Sequence, residues 1–214
     1  MYSTKLNHHL PGSQGDLSSA AKPGIRFNVG LALVLLSLLT GFATGTLAAA
    51  DDAIAKFQAG GHVLLIRHAN APGFGDPPNI TLGDCSTQRN LDESGRQQAR
   101  AIGDWLRARG IDDAQVFSSQ WCRCLETAEL LDLGSVTELP GLNSFFELTE
   151  NREGNLAALR RFFRERSDTQ TPLILVTHQV TINALSGKFR PSGTGVIMSI
   201  IPDGQVETVS TVDF

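Results

Sequence analysis

Cysteine is scarce in this 214-residue chain, and the three present, Cys85, Cys122 and Cys124, lack the paired spacing of a zinc site. They leave two arrangements open: one disulfide with a leftover thiol, as an oxidising compartment permits, or three free thiols. Basic charge is not in excess either. Only Lys5, Lys22 and Arg26 among the 18 Lys and Arg, and Asp16 among the 22 Asp and Glu, precede residue 51, so residues 51–214 hold 15 basic against 21 acidic side chains, a net charge of −6. A net-negative domain argues against nucleic acid as a partner. It also requires that any anionic substrate be held by a local cluster of cations, because the field of the whole domain repels it. There is no internal repeat, no low-complexity block and no second shift of composition after residue 51, so residues 51–214 read as one domain. With 41% apolar residues the chain has enough to build an ordinary core, which excludes disorder throughout.

Residues 1–50 read as a targeting segment. The run VGLALVLLSLL from Val29 to Leu39 follows Lys22 and Arg26, and Leu47-Ala48-Ala49-Ala50 supplies a small-residue cleavage pattern ahead of Asp51. The alternative is an uncleaved anchor, since residues 29–50 carry no charge and are long enough to span a bilayer. In either case the positive-inside rule predicts a periplasmic or extracellular domain, touching the membrane only through this segment if it is kept.

After residue 51, short apolar runs alternate with helical patterns. Strands are expected at His62–Arg67, Ala114–Ser118, Leu173–Thr177 and Val196–Ile201. Helices are expected at about Gly95–Arg109, Cys122–Leu131 and Arg152–Arg166, with a short one after Thr177. Ala99, Ile102 and Leu106, like Leu156, Leu159 and Phe163, recur at three and four and give each long helix one apolar stripe under an arginine-rich outer face. VLLI and LILV are continuous apolar runs, as befits strands covered on both faces. The fold class is therefore α/β, a three-layer α/β/α sandwich around a mostly parallel sheet.

Ligands of open α/β sheets bind beyond the carboxyl ends of the strands. There the sequence places Arg67 and His68 after one run, His178 after another, and Ser118, Ser119 and Arg123 at a strand-to-helix turn. Arginine holds two oxygens of a phosphomonoester dianion through a planar, permanently charged fork. Histidine, with an ordinary pKa of about 6.5, keeps a neutral fraction at pH 7 that can attack phosphorus. His68 would then carry a phosphohistidine that water hydrolyses, with positioning and charge stabilisation supplying most of the acceleration. Neither a metal nor another cofactor is called for. A leaving alkoxide needs a general acid, and the candidates are Glu147, Glu150 and Glu153. Glu147 is favoured because apolar surroundings from Phe145 and Phe146 would raise its pKa and keep it protonated. His62, at a strand start, reads as a surface or packing residue, and His8 and His9 receive no role.

LLIRHA (64–69), LDESGRQQA (91–99), SSQWCRCLETA (118–128) and LVTHQ (175–179) resemble, in order and spacing, the histidine phosphatase superfamily, also called phosphoglycerate mutase-like. The resemblance implies that fold for residues 51–214. It implies that Arg67 and Arg123 clamp phosphate, that His68 is the nucleophile, and that His178 stabilises the transferred charge. It also implies a proton donor from the region of Glu147. Phe74 stands where mutase-type members carry Asn, which turns the reading toward a hydrolase. The Gly/Pro-rich segment 71–90 is long, lies beside the nucleophile and is expected to frame the substrate. A bond from Cys85 to Cys122 or Cys124 would staple it to the pocket. The expectation is an exported phosphomonoesterase for a small phosphorylated substrate, an envelope sugar phosphate by its location. Its rivals are an anion-binding module without turnover and, within the family, a protein phosphohistidine phosphatase or a mutase.

Overall fold

The structure, a computed structural model, describes residues 51–214. The segment on which export and membrane attachment rest, residues 1–50, lies outside the described residues.

The described chain opens with helical residues 51–58 (α1), followed by strand β1 at His62–Arg67 and helix α2 at Glu93–Arg107. Then come β2 (Gln115–Ser118), α3 (Cys122–Leu130), β3 (Val136–Glu138), α4 (Arg152–Arg164), β4 (Leu173–Thr177), α5 (Gln179–Ser186), β5 (Thr194–Ile200) and β6 (Val206–Asp213). One sheet runs in the order β3-β2-β4-β1-β5-β6. Its first four strands are parallel, while β5 pairs antiparallel with β1 and β6 antiparallel with β5.

Each face of the sheet has its own core, which makes the three layers. Leu64, Ile66, Ile174 and Val176 pack with Ile54 and Phe57 of α1, Ile102 and Leu106 of α2, and Cys124 and Ala128 of α3. The alternate residues Val63, Leu65, Leu173 and Leu175 pack with Leu159, Phe162 and Phe163 of α4 and Ile182 of α5. All five residues of β4 are buried, as a central strand covered on both sides requires. Both predicted helical stripes point inward, and each large side chain so buried contributes about 1.5–3 kcal/mol.

Helix α2 starts two residues before the expected Gly95, because the Asp92 carboxylate accepts from Gly95 N–H at 2.7 Å and caps it. Gly95 then lies against the chain just past His68, where a Cβ would stand 2.0 Å from the Asn70 carbonyl. Three elements escaped the sequence reading. Residues 51–58 form a helix with Ala53, Ile54 and Phe57 buried, and β3 and β6 extend the sheet at its two edges. Among the described residues no helix is long and apolar enough to cross a membrane.

Candidate active site

The strand ends bring the expected residues together. Arg67 of β1 pairs in register with Thr177 of β4, and the next residue, His68, donates its N–H to the Thr177 carbonyl at 3.0 Å. His178 follows Thr177 and precedes α5, so the two imidazoles leave neighbouring strands at the same level, with ring centroids 5.6 Å apart. From β2, Ser119 N–H donates to the Val176 carbonyl at 3.0 Å and leads into α3, whose first turn carries Arg123. Thr127 ties α3 to the residue after His68: its hydroxyl donates to the Arg123 carbonyl at 2.6 Å and accepts from Ala69 N–H at 3.0 Å. Arg67, His68, Arg123 and His178 all line one cleft of about 630 Å³.

His68 is only 2% exposed. Its Nδ1 lies 2.8 Å from the Ala69 carbonyl, an acceptor, which fixes the proton on Nδ1 and leaves the lone pair on Nε2. Arg123 Nε donates to that Nε2 at 3.3 Å. Burial, then the Arg123 charge, lowers the His68 pKa to about 3, so the ring is neutral at pH 7. Burial and the same guanidinium hold His178 well below the ordinary value as well. His178 Nε2 lies 2.9 Å from the Ser119 hydroxyl, which in turn meets Asn143 Oδ1 at 3.2 Å, and its Nδ1 faces Arg123 Nη2 at 3.5 Å. Arg67 donates Nη1 to the Arg190 carbonyl at 2.9 Å, while its buried Nε has no partner among the described residues.

Two charged residues of the site were missed in the sequence. Asp76, in the Gly/Pro-rich loop, takes both Nη groups of Arg123 at 2.6 and 2.9 Å, and the pair is almost fully buried. Trp121 Nε1 donates to Asp76 Oδ2 at 3.1 Å. Burial pushes the Asp76 carboxyl up, but the Arg123 hydrogen bonds and charge outweigh it and hold the group below its usual range. Arg89 closes the loop on itself, donating Nε to the Gly75 carbonyl at 2.8 Å and Nη1 to the Ala71 carbonyl. It adds a third guanidinium to the cleft. Burial and the Arg123 charge lower the pKa of Arg67 and Arg89. A lone Asp and a lone Arg in an aperiodic loop carry no sequence signal beyond the length of the loop itself.

Cys85 and Cys122 form a disulfide, and Cys124 is free and buried. The bond joins segment 71–90 to the first residue of α3, next to Arg123. Burial pushes the Cys124 thiol up to about 12, so this residue packs as a neutral group against His178. Glu147 stands exposed at the cleft rim beside Gly75, with Phe145 turned into the core and Phe146 facing outward against Phe74. The two aromatics therefore do not enclose the carboxylate as expected. Glu150 and Glu153 lie outside the cleft, in a 3-10 turn and the first turn of α4. His62 is a half-buried strand-start residue with Nδ1 2.7 Å from the Gly60 carbonyl. Among the described residues no cluster of three or more His, Cys, Asp or Glu is arranged to hold a metal ion.

Arg67, His68, Arg123 and His178 thus gather beyond the carboxyl ends of parallel strands, in a sheet flanked by helices on both faces, and this arrangement can be compared with known proteins. The family model "Histidine phosphatase superfamily (branch 1)" matches residues 63–145. No curated protein matches the chain. Among solved structures, the protein histidine phosphatase SixA complexed with tungstate is 17% identical, with 71% of this chain and 96% of that one covered and a TM-score of 0.50. Mycobacterial hydrolase 1 is 15% identical, with 70% and 95% covered and a TM-score of 0.50. Phosphoserine phosphatase from Entamoeba histolytica, in complex with 3-phosphoglyceric acid, is 16% identical, with 72% and 97% covered and a TM-score of 0.47. Residues 63–145 are thus similar to the histidine phosphatase superfamily, and the described residues share the fold of SixA and of Mycobacterial hydrolase 1.

Proposed function

We propose that the chain is an exported phosphomonoesterase that works through a phosphohistidine on His68. The observation that carries this reading is the convergence of a buried, neutral imidazole and the guanidinium groups of Arg67 and Arg123 on one cleft. In the proposed reaction the arginines and His178 hold the phosphate oxygens, His68 Nε2 attacks phosphorus, and the P–O bond to the alcohol breaks. Water then attacks the phosphohistidine and releases inorganic phosphate. The chemistry is charge stabilisation and positioning by this chain's own residues, and it routes no step through a metal.

Export rests on the apolar run and small-residue pattern of residues 29–50, and it favours an envelope sugar phosphate as substrate. The cleft suits such a leaving group. Phe74 and Phe146 offer apolar faces at its mouth, and Asn70, Ser144 and Gln179 offer hydrogen bonds, a mixture that matches a sugar ring with apolar faces and polar edges.

The test is hydrolysis of p-nitrophenyl phosphate by the full chain in the presence of a chelator, with acid-labile phosphoenzyme trapped by rapid quench. Wild type should turn over and His68→Ala should lose all activity and all label. Vanadate or phosphate that stabilises the fold while no phosphoenzyme forms would instead establish an anion-binding module. Recovery of the chain from the periplasmic or secreted fraction tests export, and recovery from the cytoplasm overturns it.

A further inference from the structure

We propose that Asp76 is the proton donor of the reaction: bound to Arg123 in the free enzyme, it is displaced from that fork by the substrate's phosphate and then protonates the leaving oxygen. This rests on the phosphatase reading above. The starting observation is a conflict. Arg123 offers one planar fork, and both of its Nη groups are taken by the Asp76 carboxylate at 2.6 and 2.9 Å. The same guanidinium touches His68 Nε2 through its Nε at 3.3 Å and faces His178 Nδ1 at 3.5 Å. The oxygens of Asp76 therefore occupy the place a phosphate must take to be attacked by His68. A carboxylate and a phosphate dianion cannot share one fork, since like charges at that separation repel strongly in a buried site.

What happens to Asp76 after displacement follows from its other contacts. Trp121 Nε1 donates to Asp76 Oδ2 at 3.1 Å, independently of Arg123. The loop is pinned on both sides, by Arg89 to the Gly75 and Ala71 carbonyls and by the Cys85–Cys122 bond. The released carboxyl thus stays at the cleft wall and does not move out to solvent. Phe74, Pro77 and Pro78, which flank Asp76 in this wall, are exposed whereas His68 is buried, so the wall lies on the solvent side of the cleft and His68 on its inner side. His68 attacks from the inner side, and in-line displacement sends the leaving oxygen toward the solvent side. The groups facing Asp76 are Arg123 on α3, Arg89 at the end of its own loop, and His68 and His178 at the strand ends. The lowering of its pKa comes from Arg123, with Arg89 adding to it, against the upward push of burial. Once the phosphate takes Arg123, that push and the substrate's negative charge remain, and the carboxyl takes up a proton. Glu147, exposed at the rim, lacks this coupling to substrate arrival.

The step balances. The lone pair of His68 Nε2 forms the N–P bond as the P–O bond to the alcohol breaks, and the Asp76 proton goes to the departing oxygen, giving a neutral alcohol and an Asp76 carboxylate. In the second half, that carboxylate takes a proton from water as the water oxygen attacks phosphorus and the N–P bond breaks. Asp76 is then protonated again; when phosphate dissociates the carboxyl gives its proton to solvent, and Arg123 reclaims the carboxylate.

The experiment is rapid-quench measurement of phosphohistidine formation in the full chain with two esters, p-nitrophenyl phosphate, whose leaving group needs no proton, and 2-phenylethyl phosphate, whose leaving group does. Asp76→Asn should slow the alkyl ester by roughly 10²–10³-fold more than the aryl ester, and Asp76→Glu should recover part of that loss. In wild type, without any substitution, the alkyl ester alone should lose rate on the alkaline side. Equal slowing of both esters, parallel pH profiles, or a discriminating loss in Glu147→Gln in place of Asp76→Asn would overturn the assignment. A wild-type chain that forms no phosphohistidine from either ester overturns the phosphatase reading with it, whereas phosphohistidine formed from the alkyl ester at the same rate by wild type and Asp76→Asn overturns this assignment alone.

Discussion

The charge state of His68 is decided by where the chain buries it. An exposed imidazole titrates near 6.5, but this one is 2% exposed beside Arg123 and is lowered to about 3. The profile of kcat/KM against pH reports ionisations of the free enzyme. Corrected for the substrate's own second ionisation, at about pH 6, it should show no histidine step between about pH 5 and pH 8. A step near the ordinary histidine value would contradict a buried neutral His68 in the proposed role. The four residues at the strand ends were legible in the sequence because each directly follows, or lies one turn beyond, an apolar run whose end the sheet must place at one level. Asp76 and Arg89 were not. Asp76 meets Arg123 from 47 positions away through a loop without period, and nothing local in GFGDPP announces that contact.

At the scale of elements, periodicity carried the central strands and the long helices, since buried faces leave a mark every two or three to four residues. It did not carry β6, where mostly exposed side chains leave only Val212 buried, or β3, which is three residues long. The loop of residues 71–90 depends on tethers, because it has little core of its own. Its covalent one is the Cys85–Cys122 bond, which closes a span of 37 residues and fixes the loop to the helix that bears Arg123. Replacing both cysteines by Ala should therefore act twice. Loss of a cross-link over such a span costs about 2–4 kcal/mol of stability, read as a lower denaturant midpoint. A loosened loop also positions substrate less well, so KM should rise severalfold, while Cys124→Ser leaves KM unchanged. Mass spectrometry after alkylation without reductant should find one free thiol. Three would remove the staple and the argument for it.

The molecule as a whole sets a net charge of −6 over residues 51–214 against a cleft holding three guanidinium groups. Two buried imidazoles can lie among those cations only as neutral rings, and this makes the fold sensitive to acid. In the unfolded chain both histidines take up protons near pH 6.5, whereas in the folded chain His68 does so only at about 3 and His178 well below its ordinary value. Between those limits the unfolded state binds more protons, so stability rises with pH and falls on acidification, with a slope of up to about 1.4 kcal/mol per pH unit for each ring. Asp76, whose folded pKa is also depressed, adds to the loss only at lower pH, below the ordinary carboxylate range. Chemical denaturation of the full chain at pH 7, 6 and 5 should show the midpoint dropping steadily over this range, where carboxylates barely titrate. His68→Gln keeps a neutral polar side chain in the same place, and it should remove its own share of that slope. If wild type and His68→Gln lose stability in parallel, His68 titrates in the folded chain as it does in the unfolded one, and the buried neutral imidazole on which the proposed attack depends is absent.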